Sequence, residues 1–271
     1  MRLWTLLFAA CLALHGPAQA RERVSLRLVA LPDDSHRYYA TLLAEALRAD
    51  GHELHIDYVQ SVPQPRIWSM VADSKLSLIW GVQTQARDRA YASVANGLTN
   101  GAIGQRILLV PKGQEQAYAS VRTLDDFRRL GKVGGVGAGW FDADVWRFNE
   151  LPVYVKSGDW RQLFPMVASG KRHIDYMVRG ASEIVNEAKN REGLGIEANL
   201  VLIHGRDMRF YLSPGALRYK ALIEHALAHA DRSGLKKELI ARFFEQDFKQ
   251  LKLDQRLKLK LRAPDGESVG N

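Results

Sequence analysis

Few arrangements in this 271-residue chain could break or form a covalent bond. Its one cysteine, Cys11, sits in the apolar N-terminal run, and there is no Gly-x-Ser-x-Gly elbow and no His-Glu-x-x-His helix. His225 and His229 stand four apart on one helical face, but no third ligand accompanies them, so no metal and no cofactor are expected. Asp142 and Asp144 could form an acid pair; beside a helix start they more simply complement its dipole. A non-enzymatic role follows.

What the residues do favour is the recognition of an anion. The stretch "KVGGVGAGWFDADVW", residues 132 to 146, places glycines at 134, 135, 137 and 139 directly before two aromatics and two aspartates. Glycines allow positive φ and let main-chain N–H groups turn toward a ligand, and a following helix points its positive end at the same spot. The even spacing and Trp140 rule out a dinucleotide fingerprint, and no Gly-Lys-Ser/Thr ending marks a P-loop. Arg179 and Glu183 stand at i,i+4, either as a structural pair or with Arg179 free to meet a second anionic group.

These residues need a frame. "RVSLRLVAL" (23–31) alternates as a strand, and "SHRYYATLLAEALRADG" puts Tyr39, Leu42, Leu43, Ala46 and Leu47 on one helical face. "ELHIDYV", a short helix and "LSLIWGV" follow, an order that implies parallel pairing. Trp80 ends that third strand, where aromatics commonly line a crevice, while Trp68 on the preceding helix reads as core. A second α/β unit runs from "RILLVPKG" (106–113) through "ASEIVNEAKN", and "MRFYLS" (208–213) leads into helices over 215–232 and 234–251. The expected organisation is two α/β lobes, the first from 21–109 and 208–271 and the second from 110–207. Crossing segments near Leu109 to Pro111 and Ile203 to Tyr211 would form a hinge.

Arg2, "LWTLLFAACLAL" and "AQA" at 18–20 have the layout of an export leader, which places the remaining chain in a bacterial periplasm. The leader would comprise 1–20 and leave no thiol behind it. The formal net charge is +8, and +7 without Arg2. The basic residues are dispersed, with no nucleic-acid reading motif, so the charge suits solubility or steering of an acidic small molecule. The tail "APDGESVGN" reads as a frayed end.

The order of "LSLIWGV", "ARDRAYAS", "TLDDFRRLGKVGGVGAG", "LFPMVASGKRHIDYMVRGASEI" and "RFYLSPGALRYKALIEHALAHADRSG" resembles the family 3 periplasmic solute-binding proteins, the amino-acid-binding type of bacterial ABC importers. The resemblance spans nearly the whole chain after the leader. It implies a type II periplasmic-binding fold, a small anionic ligand, a membrane permease or sensor as partner, and a monomer. It places Arg87 where an arginine forks onto the ligand carboxylate, with Arg89 two positions on as the alternative. Gly137, Ala138, Gly139 and Trp140 fall where main-chain N–H groups hold that carboxylate, with Trp140 and Phe141 as a cleft wall. It also marks a departure: Gly180 stands where the family carries an aspartate for the α-ammonium, with Glu183 nearby. Sensory proteins and dehydratases share such scaffolds; Glu183 or Asp142 would supply the acid in the latter.

Overall fold

The computed structural model describes residues 23–31, 34–60, 62, 64–189 and 191–264. The expected leader and Cys11 lie outside the described residues, as do 265–271 of the tail expected to fray, whereas Ala263 at the start of that tail is buried in the second-lobe core. The first half runs β1 (Arg23–Val29), α1 (His36–Ala49), β2 (Glu53–Val59), α2 (Gln64–Ala72), β3 (Leu78–Val82), α3 (Gln85–Ala90), β4 (Ala92–Ser93), β5 (Gln105–Pro111), α4 (Leu124–Arg129) and β6 (Gly134–Gly137). Then come α5 (Phe141–Phe148), β7 (Val153–Lys156), α6 (Leu163–Ser169), β8 (Tyr176–Gly180), α7 (Ile184–Ala188), β9 (Leu194–Ile196), β10 (Leu200–Ile203), β11 (Met208–Leu212), α8 (Lys220–Arg232), α9 (Leu235–Leu251) and β12 (Leu257–Lys260).

Strand pairing defines two lobes. In the first, β1 and β2 run parallel from Arg23↔Glu53 to Val29↔Val59. Beside them β11 lies antiparallel between β3 and β4, and the Ser77 N–H donates to Arg27 O to join the two ribbons. Alternation drives this: Val24, Leu26 and Leu28 are buried while Arg23, Ser25 and Arg27 are exposed. The inward face packs on Leu42, Leu43, Ala46 and Leu47 of α1 and on Ile223 and Leu227 of α8.

The second lobe is one mixed sheet in the order β12-β10-β5-β8-β6-β7, with β9 also pairing with β5. β6 runs parallel to β7 and β8, whereas β5 is antiparallel to β8, β9 and β10. Both faces are covered: Trp146, Tyr176 and Phe127 fill one side and Leu163, Phe164 and Met177 the other.

The lobe boundaries differ from expectation at two places. Residues 105–109 belong to β5 and pair within the second sheet, so the first crossing falls between β4 and β5 rather than at Leu109 to Pro111. β12, expected with the first lobe, pairs with β10 from Leu200↔Leu257 to Ile203↔Lys260. Its sequence "LKLK" alternates, which buries Leu259 and leaves Lys258 and Lys260 exposed. The β4–β5 and β10–β11 crossings are stitched by Asp207, whose carboxylate accepts from the N–H groups of Thr99, Gly101 and Met208 and from the Thr99 hydroxyl, while a third crossing leads from α9 into β12. At Gly104 a Cβ would come within 2.5 Å of Arg206 O, so the crossings touch backbone to backbone there.

Candidate functional site

Thr84 ends the segment after β3 in extended conformation, and its hydroxyl accepts from the Arg87 N–H at 3.1 Å, which starts α3. That cap puts Arg87 in the first turn, facing the second lobe. Its Nη1 donates to Val82 O at 2.5 Å, and Nη2 donates across the gap to Gly139 O at 3.0 Å. The guanidinium lies 5.0 Å from the centre of the Trp68 ring, and burial lowers its pKa from the ordinary arginine value. Trp68, read as core, therefore supports Arg87; Gly81 leaves room for it, because a Cβ there would stand 2.8 Å from the indole. Asp88 does not neutralise Arg87. It accepts from Gln83 Nε2 at 2.5 Å and from the Tyr211 hydroxyl at 3.1 Å, and pairs with Arg209 at 3.4 Å, anchoring α3 to β11. Arg89, the alternative register, reaches Gln85 Oε1 at 3.5 Å and no other side chain among the described residues.

The glycine run has a different cause from the one expected. Gly134, Gly135 and Gly137 are buried strand residues of β6, and a Cβ on them would stand 2.6 Å from the Tyr176 ring, 2.9 Å from Leu163 and 2.7 Å from the Trp140 ring respectively. They are small because large side chains lie on them. Only Gly139 takes a positive φ, +78°. The N–H groups of Ala138 and Trp140 already donate to Lys156 O and Gly137 O, which removes both from an anion cradle. Ala138 and Gly139 themselves are exposed.

Beyond that turn the aromatics face inward. Phe141 is buried edge-on to His204 at 5.7 Å between ring centres, so it lies under the crossing rather than on a cleft wall. Trp140 is half-buried, and Arg179 lies over it at 4.7 Å and over Trp160 at 4.8 Å. Arg179 meets Glu187 with two hydrogen bonds, 2.5 Å from Nε and 2.6 Å from Nη2; its contact with Glu183, at 3.3 Å, is the weaker one. Burial opposes this charge, but Glu183 and Glu187 outweigh it and raise the guanidinium pKa. With its charge met twice, Arg179 has no need of a ligand anion.

A buried ionic cluster, unforeseen in part, lies between lobe and crossing. Arg106 on β5 donates from Nη2 to Asp142 Oδ2 at 2.9 Å, and its Nε sits 2.7 Å from Oδ1 outside hydrogen-bond alignment. Arg106 Nη1 is 3.7 Å from Glu183. Glu183 Oε2 accepts from the Gly180 N–H at 3.1 Å, and a Cβ on Gly180 would stand 3.0 Å from that oxygen. The carboxylate of Glu183 thus occupies the ground beside Gly180. Tyr39, buried on α1 and stacked on Trp80 at 4.7 Å, has its phenol pKa raised by burial and then by Glu183 across the gap. Tyr39 escaped the sequence reading because it shares the helical stripe of the core leucines. Asp142 is clamped by Arg106 at the start of α5, which gives it a counter-ion role rather than that of an acid.

His225 and His229 both face Asp50, at 2.7 and 3.4 Å from Nδ1. Among the described residues no group of three or more His, Cys, Asp or Glu side chains could hold a metal ion, and no helix is long and apolar enough to span a membrane.

No model of a protein family matches this sequence, nor does any curated protein. Solved structures do match it. An amino-acid ABC transporter substrate-binding protein from Streptococcus pneumoniae bound to L-arginine superposes with a TM-score of 0.59 at 16% identity, over 82% of this chain and 95% of the other. An ancestral arginine-binding protein bound to arginine gives 0.56 at 16%, over 81% and 98%. The GluR0 ligand-binding core from Nostoc punctiforme in complex with L-glutamate gives 0.54 at 17%, over 82% and 99%. The chain has the two-lobed α/β fold that these amino-acid-binding proteins share.

Proposed function

We propose that this protein captures a small, carboxylate-bearing, amino-acid-like solute between its lobes in the periplasm and delivers it to an ABC-type importer. The observation that carries this reading is the Arg87 Nη2 bond to Gly139 O, at 3.0 Å from the first lobe to the exposed turn of the second. Among the described residues a guanidinium held over Trp68 and hydrogen-bonded to main-chain carbonyls meets no carboxylate within a salt bridge, and an anion entering the gap would supply one. On this reading the ligand carboxylate displaces Gly139 O, and the Glu183 carboxylate with the Tyr39 hydroxyl meets the ligand's ammonium. Trp80 lines the gap behind Tyr39, and closure of the lobes completes the enclosure. The fold shared with arginine- and glutamate-bound proteins supports the ligand class.

The test is a thermal-shift screen of the purified protein without its leader against amino acids, dicarboxylates, sugar acids and polyamines. A ligand bound only by the native state must raise Tm. The expected hit carries a carboxylate, and Arg87→Ala weakens it by about 2 to 5 kcal/mol. Unchanged affinity in that variant would remove Arg87 from the site.

A further inference from the structure

The second lobe carries a cavity of about 750 Å³ away from the gap between lobes. It opens between the segment before α4, the β9–β10 turn and the junction of α9 with β12. Val121, Ile196, Leu251 and Leu257 supply apolar wall, and its charged lining residues, Arg122, Lys252 and Arg256, are all cationic. This volume lies in the range that encloses small organic ligands, about 300 to 1,000 Å³.

Arg256 is the built part of this wall. Its side chain is 5% exposed, and its Nε and Nη1 are fixed by Leu251 O at 2.7 Å and Leu200 O at 2.9 Å. Glu197, fully buried, stands 3.5 Å from the same Nη1 but accepts from the N–H groups of Asn199 and Leu200 at 2.8 and 2.7 Å. Its negative charge is therefore shared with the β9–β10 turn. Arg256 Nη2 has no partner among the described residues. Arg256 lines the cavity, and a buried guanidinium locked on two sides with one nitrogen unbonded is preorganised for an acceptor. Lys252, exposed at the mouth, adds a second positive charge.

We propose that this cavity is a second binding site, for a small organic anion with an apolar body: the charged end meets Arg256 Nη2 and Lys252, and the body lies on Val121, Ile196 and Leu257. The proposal is independent of the solute between the lobes.

Naphthalene-2-sulfonate is a suitable probe, with 2-naphthalenemethanol as its neutral counterpart, both followed by amide NMR on the full chain without its leader. Saturable shifts for the sulfonate, centred on 119–122, 196–199 and 250–257, are expected, with at least tenfold weaker binding of the alcohol. Ala198→Trp, which sets a ring in the cavity, should abolish those shifts. Lys252→Glu, at an exposed position, should weaken the sulfonate about tenfold while Arg87→Ala leaves it unaltered. Equal binding of the two probes, shifts centred on Arg87 and Gly139, or full affinity in Lys252→Glu would each overturn the proposal.

Discussion

Asp142 shows how a residue type is legible while its task is not. As an aspartate at a helix start it fits the dipole, yet its carboxylate is the main counter-charge of a buried arginine. Asp142→Asn should cost about 3 to 5 kcal/mol in urea unfolding, because it strands Arg106 without a full charge partner. A loss under ~1 kcal/mol would mean that Glu183 alone suffices. His204 lies beside this pair, with Nδ1 accepting from the Arg206 N–H at 3.2 Å and Nε2 3.9 Å from Asp142. Burial, and then Arg106, hold its imidazole pKa well below the ordinary value of 6.5. Below that pH the unfolded chain takes up a proton that the native state refuses, so stability falls as pH drops through about 6.5 toward 5. His204→Gln should flatten that part of the pH–stability curve; an unaltered slope would assign it to other groups.

At the scale of elements, β12 is the instructive case. "LKLK" alternates plainly and was expected with the first lobe, but only pairing with β10 gives its leucines a core to enter. Leu259→Ala should destabilise the protein by about 2 to 5 kcal/mol, whereas Lys258→Ala should stay within about 0.5. Comparable costs for both, read from denaturant midpoints at constant m, would deny β12 its place in the sheet. The β6 glycines belong here too. Their clustering was visible, but its reason was the thickness of Tyr176, Leu163 and Trp140, which come from other elements.

For the whole molecule the decisive link is Asp207, which gathers the β4–β5 and β10–β11 crossings on one carboxylate. Asp207→Ala leaves several of those donors unpaired and should cost at least about 3 kcal/mol. It should also separate the lobes' unfolding, seen as non-coincident transitions for Trp68 in the first lobe and Trp146 in the second. In the unaltered protein those two probes should move together, since Met208 packs against both cores.

Periodicity alone established most of the frame: β2 appears at the residues expected, β11 within one residue, and α1 buries the stripe read from its leucines. The glycine run stood out by composition and Arg87 through the family resemblance, whereas the Thr84 cap that positions Arg87 came only from the structure. Tertiary structure decided which partner each charge meets. Arg179 meets Glu187 rather than a ligand, Asp142 meets Arg106, and Arg87 reaches a carbonyl fifty-two residues away. Local patterns are written in backbone geometry over a few residues, whereas the pairing of buried charges depends on distances set only when separate strands and helices are brought into one sheet.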